Sequence, residues 1–350
     1  MKTRPAPTRL TPPAGEHWHA SPGPQDPRPV LVVGATGQLG TRVVQQLAAA
    51  GRPVRALVRP GSRHGHLGLP GVQRVHGDLR DAASLDAACS GAGAVIATAN
   101  AVAPLQGSTF AAVEDKGYAD LIQACRRQGC GRFVLVSVPV TRHDAAVPLF
   151  RYKRLIEQRL LASGHEHAVL RFGPFMDDWF ALIGSRLPAR GDPAALIRRP
   201  WGFLQAFMGA VGGLIERRGI ALVPGPADTR HPFIAVDDVA QYLVQATEHP
   251  AALNAVLEIG GPQLLSWAEV AALYAQVLGR PVRVVSTPGA VFRGQQWLMR
   301  PFSQAASNIM GLNWVASRTM AVDDPGHAAT FGLTLTTAEA FLRAKAALPA

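Results

Sequence analysis

The residues Val30-Leu31-Val32-Val33-Gly34-Ala35-Thr36-Gly37-Gln38-Leu39-Gly40 constrain this chain more than any other stretch. Four apolar residues in a row, with no polar alternation, predict a buried parallel strand. The strand runs straight into G-x-x-G-x-x-G, and a helical pattern over 41–50 follows without a gap. Strand, glycine turn and helix N-terminus in that order bind a dinucleotide. Gly34 permits the tight turn, Gly37 lets the backbone approach a pyrophosphate, and Gly40 lets the helix pack close to the strand. The helix start then turns unpaired N–H groups and its positive dipole end toward the phosphates. Thr36, Gln38 and Leu39 complete the loop and are candidate contacts beside the three glycines.

Composition narrows the rest. With 350 residues, 48% apolar and 17% charged, the chain can bury a large core as one big domain or two modest ones. Residues 1–29 carry eight prolines and no apolar periodicity, which predicts a disordered tail and excludes a secretory signal. Three cysteines (Cys89, Cys125, Cys130) form neither a disulfide framework nor a zinc pattern, so a reducing cytoplasm and no metal are expected. The net charge of +11 is spread over scattered arginines, without a basic stripe interleaved with aromatics. A nucleic-acid partner is therefore not expected, and a phosphorylated cofactor accounts for the balance.

Strands alternate with helices along the next 140 residues, which predicts an α/β fold with a doubly wound parallel sheet and a smaller lobe. The second strand, 53–59, ends in Arg59, followed by Ser62 and Arg63. A carboxylate at this place would accept from an adenosine 2′-hydroxyl; guanidinium groups and a hydroxyl suit a 2′-phosphate, so NADP(H) is favoured over NAD(H). A third strand, 72–76, leads to Asp78-Leu79, placed to touch the adenine or to cap the helix at 81–88. The fourth strand, 94–99, brings Ala97 and Ala99 to the cofactor, because ligands of open α/β sheets sit beyond the carboxyl ends of strands. Helices near 108–128 and 149–162 flank a strand ending in Ser137, and a sixth strand, 167–171, ends in Phe172-Gly173-Pro174.

These motifs resemble the atypical short-chain dehydrogenase/reductases, in particular the NmrA-like NAD(P)-binding proteins. The likeness rests on 34–40, Gly77-Asp78-Leu79, Gly131-Arg-Phe-Val-Leu-Val-Ser137, Lys153 with Glu157, 170–176, 233–240 and 257–262. It implies a Rossmann core over 30–173 to which 233–240 and 256–260 return, the first as a strand just after His231. The remainder, 174–350, is then mainly a substrate lobe with an expanded segment at 177–219. Phe172, Pro174 and Lys153 are expected to touch the cofactor. Asp238 reads as a structural cap. The run 200–215 admits ordinary packing, a lid over an apolar pocket, or a helix on a membrane face; it is too short to span a bilayer, which needs about 20 apolar residues. Trp297, Met299, Phe302, Met310 and Trp314 are expected to form the other wall of that lobe.

The better-known members of the wider superfamily set a tyrosine four residues before the lysine, so that both share a helix face. Here that position is Leu149, and Tyr152 is adjacent to Lys153. Lys153, Ser137 and Tyr152 are the catalytic candidates, with His231 behind them. An NADPH-dependent oxidoreductase of a small apolar acceptor, quinone-like or unsaturated, leads. A non-catalytic NADP(H) sensor, an epimerase and an assembly factor stand as alternatives, and the chain is read as a monomer or homodimer.

Overall fold

The uninterrupted apolar runs at 30–33, 94–97 and 133–136 become inner strands of one parallel sheet. The structure, a computed structural model, describes residues 26–62, 64–100, 102, 109–322, 324 and 326–349. The proline-rich tail up to residue 25 and Arg63 lie outside the described residues. The first half of the chain comprises β1 (Val30–Val33), α1 (Gln38–Ala49), β2 (Val54–Val58), β3 (Val72–His76), α2 (Ala82–Cys89) and β4 (Ala94–Ala97). It continues with α3 (Tyr118–Arg127), entered through wide π-helical turns over Ala111–Gly117, then β5 (Phe133–Ser137), α4 (Pro148–Ala162) and β6 (His167–Phe172).

Sheet order is β3-β2-β1-β4-β5-β6 closed by β9 (Ala255–Ile259), and every neighbouring pair is parallel. Both faces are covered. Val30 and Val32 pack with Val43, Val44 and Leu47 on one side, while Leu31 and Val33 pack with Leu85, Leu121 and Ile156 on the other. The strand order reverses between β1 and β4, and this is where such sheets open a ligand crevice. Gly34 turns the chain there at φ +92°, and a Cβ on it would lie 2.6 Å from the Ala99 nitrogen.

Beyond β6 the chain forms α5 (Met176–Leu182), α6 (Gly202–Val211), α7 (Leu214–Arg218), β7 (Ile220–Pro224) and β8 (Arg230–His231), then α8 (Val236–Ala246). After β9 come β10 (Leu265–Ser266), α9 (Trp267–Leu278), β11 (Arg283–Thr287), α10 (Gly289–Met299), α11 (Gln304–Ala316), α12 (His327–Thr330) and α13 (Ala338–Ala346). A separate apolar cluster joins α5, β7, α9 and α13 through Phe180, Val223, Tyr274 and Phe341. Ser266 and Glu269 form the reciprocal capping box that opens α9.

Two expectations are corrected. The segment 233–240 does not return as a strand: Ile234 makes one bridge to Phe175, and α8 starts two residues later. Asp237 and Asp238 in the first turn favour the positive helix end, and Asp177 Oδ2 accepts from the Val236 N–H at 2.9 Å. The apolar tail splits likewise. Trp314 is buried against Phe110 and Phe150, but Trp297 and Phe302 point outward at the α10–α11 turn. The three cysteines converge in the apolar layer under α2 and α3, with their Sγ atoms all within 4.8 Å of one another.

The packing of α1 onto β1 tolerates no side chain at residue 40, since a Cβ there would lie 2.1 Å from the Gly34 carbonyl oxygen. Gly40→Ala should lower folding stability by about 1–3 kcal/mol, as over-packing does. Denaturant titration reads this; an unshifted midpoint would contradict the geometry.

Candidate functional site

Three strand ends and one helix start converge at the switch point. Helix α1 begins at Gly37 with no side chain capping it and no acidic residue in its first turn, which leaves its N–H groups turned to the crevice. The glycine loop is closed by the Gly37 N–H donating to the Gly34 carbonyl at 2.9 Å. On the far side of the crevice, Thr98 donates its N–H to the Val33 carbonyl at 2.9 Å and its hydroxyl to the same oxygen at 3.1 Å.

The expanded segment docks here. Residues 192–199 cross the start of α1 as a strap. Gln38 donates to Asp192 Oδ2 at 3.2 Å and accepts from the Leu196 N–H at 3.2 Å. Arg42 adds ion pairs to Asp192 at 3.5 Å and to Asp237 at 3.3 Å. At the end of the strap Arg199 donates to the Thr36 carbonyl at 3.0 Å, and its guanidinium lies 4.0 Å from where a Cβ on Gly37 would be. Burial holds the Arg199 pKa below its ordinary value, and repulsion from Arg59 lowers it further. His66, whose Nε2 lies 3.2 Å from the Thr41 hydroxyl, is also lowered, first by burial and then by Arg199. Arg199 therefore sits on the β2 side of the glycine loop, the side of Arg59. The signal in the sequence was only the Arg198-Arg199 pair before the apolar run, and it named no partner.

The other candidates divide. Arg59 is exposed at the end of β2, and Ser62 donates its hydroxyl to the Arg59 carbonyl at 2.7 Å. Asp78 binds Arg80 Nη2 at 2.8 Å, which lowers its pKa, and the cap of α2 is Asp81 instead. Leu79, Ala97 and Phe172 are buried in the core, so they face the crevice with backbone only. Ala99 accepts from the Tyr118 hydroxyl at 2.5 Å. The Pro174 carbonyl accepts from the Ile234 N–H at 3.1 Å.

Lys153 is buried at 3% exposure, with Nζ 3.7 Å from Glu114 and 5.3 Å above the Tyr118 ring. Glu114 and Tyr118 are one helical turn apart, and sequence reading passed over both because neither sits in a recognised motif. Burial, reinforced by Glu114, pushes the Tyr118 hydroxyl well above the ordinary tyrosine pKa. Tyr152 faces elsewhere: it stacks on Phe110 at 5.7 Å and lines a groove of about 490 Å³ with Asp144 and Leu155. Ser137 is buried and donates to Glu157 Oε1 at 2.5 Å. Glu157 also takes Arg154 at 2.5 Å and Arg171 at 2.7 Å, tying β5, α4 and β6 together. Burial alone would raise the Glu157 pKa, but the Arg171 and Ser137 bonds and the Arg154 charge hold it below the usual carboxylate value. Asp238 accepts from the Thr336 N–H at 2.7 Å and its hydroxyl at 3.0 Å, a structural tie, and His231 bonds the Ala316 carbonyl.

Asp178 is unlike its neighbours. The residue is half-buried, yet its Oδ1 is sealed from solvent with no hydrogen-bond partner among the described residues. Burial first, then Asp177 and Asp192, push its pKa up to about 8. A folded-state pKa above the unfolded one means the native chain holds a proton the unfolded chain has lost, so this group's contribution falls as pH rises toward 8. Asp178→Asn should therefore melt higher than the parent at pH 8, with the gap closing near pH 4. A gap independent of pH would contradict the buried carboxyl.

Comparisons with known proteins fit this geometry. The profile of the NmrA-like family matches residues 27–311. An NAD(P)H azoreductase from Xenophilus azovorans is 30% identical over 257 residues, covering 73% of this chain and 76% of that protein. The Photosystem II assembly factor Ycf39 of Synechocystis is 25% identical over 79% of this chain and 74% of its own length. Among solved structures, an NADPH-dependent quinone oxidoreductase from Escherichia coli in complex with NADPH superposes with a TM-score of 0.65. It is 19% identical, over 89% of this chain and 98% of the other, and shows the shared fold.

Proposed function

The chain belongs to the NmrA-like family, and from that premise we propose that it is an NADPH-dependent reductase of a small apolar acceptor, quinone-like or unsaturated. The observation that carries the reading is the uncapped start of α1 with Arg199 bonded to the glycine loop and the charge of Arg59 acting on it, and we assign that side to the adenosine end. The glycine cradle fits a dinucleotide, because Gly37 leaves the backbone bare where a pyrophosphate approaches, the first turn of α1 holds no acidic residue, and Asp192 beside it is paired with Arg42. Arg59 and Arg199 take the 2′-phosphate, with charge-assisted bonds that a 2′-hydroxyl cannot match. The azoreductase and the quinone oxidoreductase named above support this class of chemistry.

When bound, the reduced nicotinamide supplies a hydride. Lys153 holds the adjoining ribose, and Glu114 keeps the ammonium aimed from within the core. Phe110, Val147, Leu149, Phe150 and Trp314 form an apolar wall that excludes water and receives the acceptor. Leu149 offers no proton, which suits acceptors whose new negative charge rests on an oxygen or nitrogen until release, when solvent water protonates it. Localisation in the cytoplasm is part of the same reading.

Purified protein should consume NADPH with one class among quinones, azo dyes, activated alkenes, aldehydes and ketones. Lys153→Met should lower kcat/KM at least about tenfold, through lost positioning. Arg59→Glu and Arg199→Gln should each weaken NADPH binding roughly 10- to 100-fold, the worth of a charge-assisted bond of about 1.5–3 kcal/mol. NADH affinity should stay nearly unchanged in both. A second reading, a regulatory NADP(H) binder, draws on Leu149 in place of a hydroxyl and on Ser137 engaged by Glu157. Firm NADPH binding without turnover on any acceptor would favour it over the reductase.

A further inference from the structure

At its turn the α10–α11 hairpin carries large apolar groups outward. Trp297 is 77% exposed, Phe302 79% and Leu298 53%. Val291 and Leu298 are seven apart on α10 and share a helix face, and Phe302 follows in the turn, so exposed apolar groups run from the start of α10 to the turn. Burying such groups is worth much more than leaving them in water, and a cluster of them on a surface marks an interaction site.

The stretch of chain that forms the hairpin carries charge of one sign. Between Glu269 and Asp323 the chain has no acidic residue and five arginines: Arg280, Arg283, Arg293, Arg300 and Arg318. Arg293 and Arg318 both lie 4.5 Å from the Trp314 ring, and His143 meets the same ring at 4.5 Å. Arg142 and Arg293 are near enough that their charge, after burial, holds the Arg318 pKa down. Among the described residues, none of Arg142, Arg293, Arg300 and Arg318 has a carboxylate within ion-pair distance, and Asp144 nearby is taken by Arg154. Arg142, Arg293 and Arg318 form a cluster, and Arg300 stands at the hairpin turn; both call for anions from outside the chain.

We propose that the α10–α11 turn docks this protein on an anionic lipid surface, with Trp297, Leu298 and Phe302 entering the headgroup boundary and Arg142 and Arg300 facing lipid phosphates. Exposed aromatic and aliphatic groups beside unpaired arginines match the two requirements of interfacial binding, apolar insertion and attraction to negative headgroups. A second copy of the chain fits worse, because two such faces would set arginines against arginines. This face lies at 291–302, apart from the run 200–215, where Leu204 and Met208 are buried and Phe203 and Phe207 are exposed. Trp314, at the root of the same hairpin, belongs to the apolar wall described above and ties the hairpin to it. The docking inference stands on the hairpin alone and does not require turnover.

Sedimentation of the full chain with vesicles tests it. Phosphatidylcholine vesicles containing phosphatidylglycerol should bind the protein, pure phosphatidylcholine should bind it weakly, and added salt should release it. Trp297→Ser with Phe302→Ser should cut the affinity at least about tenfold at an unchanged melting temperature, since both side chains are exposed. Arg142→Gln with Arg300→Gln should remove most of the salt dependence. The proposal is overturned if anionic vesicles bind no better than neutral ones or if the aromatic double variant binds as the parent does. It is equally overturned if the parent is a stable dimer in solution that the aromatic double variant dissolves.

Discussion

The contact on which the site depends is the approach of α1 to β1 at Gly40. Only a bare α-carbon fits against the Gly34 carbonyl, and this closeness points the helix start at the crevice between β1 and β4. The aligned N–H groups would otherwise face water at an ordinary helix end. Here they face a cleft whose floor is Gly34 and Thr98, and whose roof is the strap ending in Arg199. Anion affinity follows from backbone geometry before any side chain is considered.

Much of the core was legible because its signals are local. The apolar runs at 30–33, 94–97 and 133–136 do not alternate, which only a strand buried on both faces requires, and all three lie in the parallel sheet. Ser266 and Glu269 announced a helix start through chemistry three residues apart, and the structure has both reciprocal bonds. The segment 233–240 misled because its apolar start reads equally as strand or helix. Its fate was decided by Asp177, 59 residues earlier, which satisfies the first free N–H of α8.

The site was less legible because its determinants are distant in the chain. Arg199 reaches Thr36 across 163 residues, and Glu114 meets Lys153 between two helices. No spacing rule links such pairs. The missing tyrosine at 149 was visible at once, but its consequence was not: the helix face around Leu149 is an apolar wall with Phe110 and Trp314. Ser137 read from the sequence as a hydroxyl that bonds substrate or turns the chain; in the fold it donates to Glu157, whose ion network braces β5, α4 and β6. The outer groups of α10 and α11 looked like core for the reason that long apolar residues usually are core. At the hairpin turn nothing of this chain covers Trp297 or Phe302, among the described residues.

The proposed function depends on a phosphate-selective dinucleotide site at the glycine loop. Calorimetric titration of the purified chain with NADPH and with NADH tests this most directly. Arg59 and Arg199 predict one site per chain and a preference for NADPH of at least about tenfold, the worth of one charge-assisted bond. Equal affinity for the two cofactors, or binding of neither, would contradict it.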